Sequence, residues 1–164
     1  MSAVTSTIIP RTQIAETVRR IRRQGAGRGK RASIVFTNGV FDIIHAGHVD
    51  YLVRAKRLGG YLIVGVNSDS SVRRLKGDGR PLQSERDRAK IVAALKPVDA
   101  VVLFSEDTPE NLIELIRPDI LAKGADYKLA EIVGAMFVRS YGGKVKRIAL
   151  TRGRSTTALL RRMA

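Results

Sequence analysis

Short apolar runs recur along this chain, and segments of helical periodicity fill the intervals between them. Ser33 to Phe36, Leu62 to Val66, Ala100 to Phe104, Asp119 to Ala122 and Lys144 to Leu150 read as strands. Leu62-Ile-Val-Gly-Val66 lacks polar alternation, as expected of a strand covered on both faces. Between the strands, Val49, Leu52 and Val53, and then Ile91, Val92 and Leu95, fall at helical spacing. Strands alternating with helices over 164 residues restrict the chain to a doubly wound, mainly parallel, five-stranded α/β sheet flanked by helices. In such folds ligands bind beyond the carboxyl ends of the strands, where the strand order reverses.

Local punctuation supports this reading. Gly59-Gly60 closes the helix after the first strand, and Asn67-Ser68-Asp69 offers capping side chains for a short second one. Lys76-Gly-Asp-Gly-Arg-Pro81 reads as a mobile loop. Ser84-Glu-Arg-Asp87 resembles a capping box, and Thr108-Pro109-Glu110 a hydroxyl cap with proline at the first helical position. Another helix is expected within 129–141, and a last one from Ser155, carrying Leu159, Leu160 and Met163. Upstream, residues 1–9 read as loosely attached. Ile14, Val18 and Ile21 then mark a basic amphipathic helix, and the glycines of 25–29 a connector that precedes the first strand. The expected organisation is an N-terminal arm over residues 1–31 and one domain over 32–164.

Such a length buries a core without staples, and the absence of cysteine removes disulfides and thiolate metal sites. No apolar run reaches transmembrane length, and the start lacks a secretory core, so a soluble cytoplasmic protein is expected, without membrane partners. The net charge of +15 fits a polyanionic ligand: nucleic acid, a nucleotide or a sugar phosphate. A solvated basic surface is the plain alternative. The four tyrosines and four phenylalanines are not interleaved with basic residues as a single-strand-binding platform requires.

Three polar clusters fall at strand ends: 37–48, 67–69 and 123–127. The first holds both histidines of the chain, in His45-Ala-Gly-His48. Two histidines with Asp42 would make a facial metal triad, but i, i+3 across a turn is not the helical spacing of zinc enzymes. Each imidazole could instead be satisfied by backbone at a helix start. The third reading is a phosphate site: Gly47 lets backbone approach an anion, the helix start supplies N–H groups, and imidazoles donate to oxygens. Both histidines within one tetrapeptide favour phosphate.

Thr37-Asn-Gly-Val-Phe-Asp42 followed by His45-x-Gly-His48 resembles the cytidylyltransferase-like nucleotidyltransferases, which implies a Rossmann-like sheet. Further motifs extend the likeness over roughly residues 10–164: Val64-Gly-Val-Asn-Ser-Asp69, Arg74-Leu-Lys-Gly77, Gly79-Arg-Pro81, Glu106-Asp-Thr-Pro109, Lys123-Gly-x-Asp-Tyr127 and Gly153-Arg-Ser-Thr-Thr157. Together they resemble the family's heptose 1-phosphate adenylyltransferases, in the form not fused to a sugar kinase. Val40, Ala125 and Arg86 depart from that pattern, where cysteine, glycine and an acidic residue are more usual.

The resemblance implies transfer of AMP from ATP to D-glycero-β-D-manno-heptose 1-phosphate, giving ADP-heptose and pyrophosphate for lipopolysaccharide core synthesis. It implies Mg²⁺ with the ATP, no dedicated metal ligands, no nucleic-acid partner, and a homodimer or larger homo-oligomer. A cytidylyltransferase for glycerol 3-phosphate is the alternative within the family; a basic nucleic-acid-binding module is the alternative outside it. His45, His48 and Lys76 are the implied catalytic residues. Thr37, Asn38, Gly39, Phe41, Gly47, Arg88, Lys123, Gly124, Ser155 and Thr156 are implied at the nucleotide, and Asp42, Asn67 and Asp126 at the substrate. Some have plain readings too: Lys76 as a surface lysine, Arg88 as a loop holder or exposed ion pair, and Ser155, Thr156 and Asp69 as caps.

Overall fold

A computed structural model describes residues 7–26 and 33–149. Its strands are β1 (Thr7–Ile8), β2 (Ile34–Gly39), β3 (Tyr61–Asn67), β4 (Ala100–Phe104), β5 (Ile120–Gly124) and β6 (Lys144–Ile148). The helices are α1 (Ile14–Ala26), α2 (Ala46–Lys56), α3 (Asp69–Lys76), α4 (Glu85–Ala93), α5 (Glu110–Ile116) and α6 (Ala135–Ser140). The strands form one sheet in the order β1-β4-β3-β2-β5-β6, and every pairing is parallel. From β2 the chain winds outward through β3 to β4, then returns to place β5 and β6 on the other side. The order therefore reverses between β2 and β5.

Residue alternation along the strands supplies two separate cores, the physical requirement for helices on both faces. Ile34 and Phe36 of β2 join Ile63, Val102 and Leu121 beneath α1, α5 and α6. Val35, Leu62, Val64 and Val101 face the other way, against Leu52 and Ala55 of α2 and Ala89 and Val92 of α4. Phe36, Ile34, Leu52 and Ile113 are fully buried.

Several expectations are corrected. The sheet has a sixth strand, because Thr7 and Ile8 pair with Ala100 and Val101 of β4, and the Ile9 N–H donates to the Val101 carbonyl at 2.8 Å. Residues 7–9 are therefore tied to the sheet. Ile14, Val18 and Ile21 of α1 enter the first core, so this segment packs as part of the domain. The first strand runs on to Gly39, past the expected end at Phe36. Pro109, not Thr108, occupies the cap of α5, and no side chain caps it. Residues 129–141 divide into a 3₁₀ turn, Leu129–Glu131, and α6. The Ser68 cap holds, its hydroxyl accepting from the Ser71 N–H at 3.2 Å, and so does Ser84, which accepts from the Asp87 N–H at 3.2 Å. The connector glycines at 27 and 29 and the last helix lie outside the described residues.

Candidate active site

The reversal between β2 and β5 opens a cleft of about 630 Å³ at the carboxyl ends of the strands, a size suited to small ligands. β2 delivers Asn38 and Gly39 to its floor, and β5 delivers Lys123 and Gly124 beside them. Lys123 Nζ donates to Asn38 Oδ1 across the reversal and lies 5.8 Å from the Tyr127 ring centre. Burial disfavours its charged form and lowers the ammonium to about 8.

Beyond β2 the backbone makes a tight excursion. Phe41 has φ 52°, in the left-handed region that a bulky residue rarely adopts. Its ring folds back over Gly39, where an added Cβ would lie 3.0 Å from it, so a side chain at 39 would press on the ring and require it to give way. The same ring stands 5.4 Å from the His48 imidazole. His45 occupies the cap position of α2 in extended conformation with no side-chain cap bond, and Gly47 is buried in the first turn. The first N–H groups of a helix have no partner within it; in α2 the His48 N–H already turns back to the His45 carbonyl at 2.9 Å.

The two imidazoles lie face against face, with centroids 3.9 Å apart and planes 30° from parallel. Burial, and then the positive fields of His45 and Lys76, lower His48 to about 4. The ring is therefore neutral near pH 7. Its Nδ1 is buried with no hydrogen-bond partner among the described residues. A proton on Nε2 leaves only a lone pair unmet inside and keeps one N–H donor for the cleft. Lys76 ends α3 and is exposed on the cleft wall, followed by Gly77 at φ 89°, a conformation natural to glycine. Leu75, Pro109, Tyr127, Ile132 and Val133 give the cleft an apolar side.

Residues 36–153 match the family described as cytidylyltransferase-like. The chain belongs to the cytidylyltransferase-like family. A bifunctional protein HldE of Magnetococcus marinus is 57% identical over 131 residues, covering 80% of this chain and 27% of that protein. Another of that name, from Gluconobacter oxydans, is 50% identical over 159 residues, 97% of this chain and 32% of its own length. The chain thus spans about a third or less of these relatives. Among solved structures, a lipopolysaccharide core biosynthesis protein of Thermoplasma volcanium shares 31% identity at a TM-score of 0.60, over 75% of this chain and 99% of that one. Pantoate-beta-alanine ligase of Francisella tularensis, at 15% identity and TM-score 0.63 over 90% of this chain and 68% of that one, shares the fold.

In this cytidylyltransferase-like domain His45, His48, Lys76, Asn38, Gly39, Phe41, Gly47, Lys123, Gly124, Asp42, Asn67 and Asp126 all border the one cleft. Thr37 and Arg88 do not. Thr37 is fully buried, its hydroxyl 2.8 Å from that of Tyr51, so it braces β2 against α2 from beneath. Arg88, also fully buried, donates to the carbonyls of Gln83 (3.0 Å) and Val40 (2.6 Å) and to Asp69 Oδ1 (2.8 Å). It holds the strand-end loop; its ion pair with Asp69 is buried on the arginine side, not exposed.

Asp42 borders the cleft, but its carboxylate is turned to the protein. Oδ1 accepts from the Leu82 and Gln83 N–H groups at 2.8 and 3.0 Å, and Oδ2 from Arg80 Nη1 at 2.6 Å. Burial raises this carboxyl, and the Gln83, Arg80 and Leu82 donors together bring it below its ordinary value. Asn67 donates from Nδ2 to Ser71 Oγ at 3.1 Å. Ser155 and Thr156 lie outside the described residues. Sequence reasoning missed Tyr51 and Arg80 as cleft residues; for Arg80 the only signal was its place within Gly79-Arg-Pro81.

No helix among the described residues is long and apolar enough to cross a membrane. Nor, among them, do three or more His, Cys, Asp or Glu gather as a metal-holding group. Both Asp42 oxygens are engaged, so the described residues do not fit a protein cage for Mg²⁺.

Proposed function

We propose that the cleft transfers AMP from ATP to the phosphate of D-glycero-β-D-manno-heptose 1-phosphate, releasing pyrophosphate and giving ADP-heptose for lipopolysaccharide core synthesis. The carrying observation is the convergence of the stacked His45–His48 pair, Lys76 and Lys123 on one cleft at the sheet's reversal point. The ordered motifs of residues 10–164 support the substrate, as does likeness to a protein of lipopolysaccharide core biosynthesis.

The chemistry asks for this kind of equipment. A sugar phosphate is largely dianionic near pH 7, its second pKa being near 6, so its oxygen attacks the α-phosphorus without a strong base. One P–O bond forms at the α-phosphorus, the bond to the bridging oxygen breaks, and pyrophosphate leaves with the electron pair. Catalysis then rests on alignment and on donors for the charge developing at the α- and β-phosphates. In this reading neutral His48 supplies an N–H to the arriving triphosphate. Lys76 and Lys123 neutralise phosphate oxygens from opposite walls. Asn38, Gly39, Phe41, Gly47 and Gly124 shape the nucleotide side, with Asp126 at the sugar phosphate. Mg²⁺ would accompany ATP and supply charge neutralisation there, with no residue of the cleft assigned to hold it. ATP as donor fits a cytoplasmic reaction, and the family resemblance implies a homodimer or larger assembly, which light scattering on the eluting protein would test.

The test is pyrophosphate release from ATP or CTP with heptose 1-phosphate or glycerol 3-phosphate as acceptor. ATP with the heptose substrate is expected to give the highest turnover. Preference for CTP with glycerol 3-phosphate, or no release with the heptose, would overturn the reading.

A further inference from the structure

We propose that Arg80 is a phosphate-binding residue of the cleft and that Asp42 is its positioning residue, not a substrate ligand; this rests on the nucleotidyl transfer proposed above. Asp42 is 6% exposed, and both its oxygens are engaged by the segment 80–83, two backbone N–H groups on Oδ1 and the Arg80 guanidinium on Oδ2. Its own carbonyl accepts from Gln83 Nε2 at 2.6 Å, so the segment is fastened to residue 42 from four directions. A carboxylate so occupied has little left to offer a sugar hydroxyl.

Arg80 is the opposite case. Of the five N–H donors of a guanidinium, Nη1 holds Asp42, and the side chain makes no other hydrogen bond among the described residues. It borders the same cleft as His45, His48, Lys76 and Lys123, and it is the one arginine among the described residues lining it. Neighbouring arginines are committed elsewhere: Arg88 to Val40, Gln83 and Asp69, Arg74 to Asp107 at 2.7 Å and Ser105, and Arg11 to Glu106. Asp42 thus fixes the guanidinium at one corner before any ligand arrives and leaves its planar fork for a phosphate, which two parallel N–H donors match. Removing Arg80 would not strip Asp42 bare, because the Leu82 and Gln83 N–H groups stay with it. The pair therefore looks outward as much as inward, unlike a bridge that only ties a loop.

The phosphate in question belongs either to the nucleotide or to the sugar, and separate ligands tell these apart. The experiment is calorimetric titration of the full chain with pyrophosphate, with a non-hydrolysable ATP analogue and with heptose 1-phosphate, for wild type, Arg80→Gln, Arg80→Lys, Asp42→Asn and Arg80→Gln/Asp42→Asn. Arg80→Gln is expected to weaken binding about tenfold or more, as for a lost charged hydrogen bond. Loss with pyrophosphate and the analogue assigns the triphosphate, and loss with heptose 1-phosphate alone assigns the sugar. Arg80→Lys should recover part of the affinity, and Asp42→Asn should add little once Arg80 is gone. Arg80→Lys also serves should Arg80→Gln not fold. Unchanged affinity for all three ligands in folded Arg80 variants would overturn the proposal, as would additive Asp42 and Arg80 effects or a wild type that binds none of them. A wild type that binds pyrophosphate yet releases none from ATP and heptose 1-phosphate overturns the functional reading alone.

Discussion

The cleft at the carboxyl ends of the strands has a counterpart at the other end of the sheet. There a groove of about 600 Å³, lined by Arg19, Arg22, Arg117 and Tyr141 among others, opens where β5 and β6 begin. In volume and in cationic side chains the two are alike. They differ in what their polar groups already touch. Arg22 Nη2 donates to the Arg117 carbonyl at 2.5 Å, and Nη1 lies 3.6 Å from Asp119. Arg117, left-handed at φ 47° as the cap of α5, lays its guanidinium 4.7 Å from the Tyr141 ring, whose hydroxyl donates to the Pro118 carbonyl at 2.9 Å. These arginines finish a helix terminus, where cations and donors are favourable. In the cleft, by contrast, His48 Nδ1 is buried and unmet among the described residues, and burial lowers the Lys123 ammonium to about 8. Concavity and charge are shared; a buried imidazole nitrogen without a partner and a desolvated ammonium distinguish the cleft.

That contrast can be broken most sharply by alanine. His48→Ala should lower pyrophosphate release by at least about a hundredfold, as for a lost transition-state donor, while leaving the thermal midpoint near wild type. Arg22→Ala in the groove should leave turnover per folded molecule unchanged. Equal losses from the two would abolish the distinction. A smaller effect concerns Lys123. Its positive charge is present below about 8 and lost above it, so affinity for an ATP analogue should fall as pH rises through that value, by about tenfold. Lys123→Arg should carry the affinity to higher pH. A flat titration from pH 7 to 9 would remove Lys123 from phosphate binding.

The acid side sharpens the contrast through stability. His48 has a folded pKa of about 4 against an ordinary 6.5, so the unfolded chain binds its proton first as pH falls. The stability tied to the neutral ring is whole above 6.5 and is lost as pH falls toward 4. Urea midpoints of His48→Gln should therefore vary less with pH across that window than those of wild type. The smallest change is expected in the groove: Arg22→Ala should cost about 1 kcal/mol, a drop of about 2–4 °C in midpoint for a chain of this size.

Much of this was legible in the residues, for reasons that differ by element. β3 and β4 are buried on both faces, so their apolar runs announce them, and the winding follows from their alternation with helices. β1 is two residues long and exists only because β4 offers an edge to pair with, which no local pattern encodes. The strand-end clusters that hold the histidines and Lys123 could be read from the winding of such a sheet, whereas the roles given to them and to Lys76 came with the family resemblance. Arg88 could not be placed, because arginine is almost never fully buried unless paired, and its partners come from residues 40, 69 and 83. The same holds for Asp42 and Arg80, whose pairing depends on the path of the 80–83 segment across the loop after β2.

The two margins of the sheet are guarded by different means. Among the described residues only the two-residue β1 lies beyond β4, whereas β6, at the other end of the sheet order, carries exposed Lys144, Lys146 and Arg147. Charged residues on a bordering strand discourage another chain from adding to it. The β4 margin, Ala100-Val-Val-Leu-Phe104, has no such charges and depends on Thr7 and Ile8 to occupy its hydrogen bonds. A chain trimmed back to Pro10 would thus present a bare apolar strand, so Thr7 to Ile9 are what keeps another chain from adding to that margin.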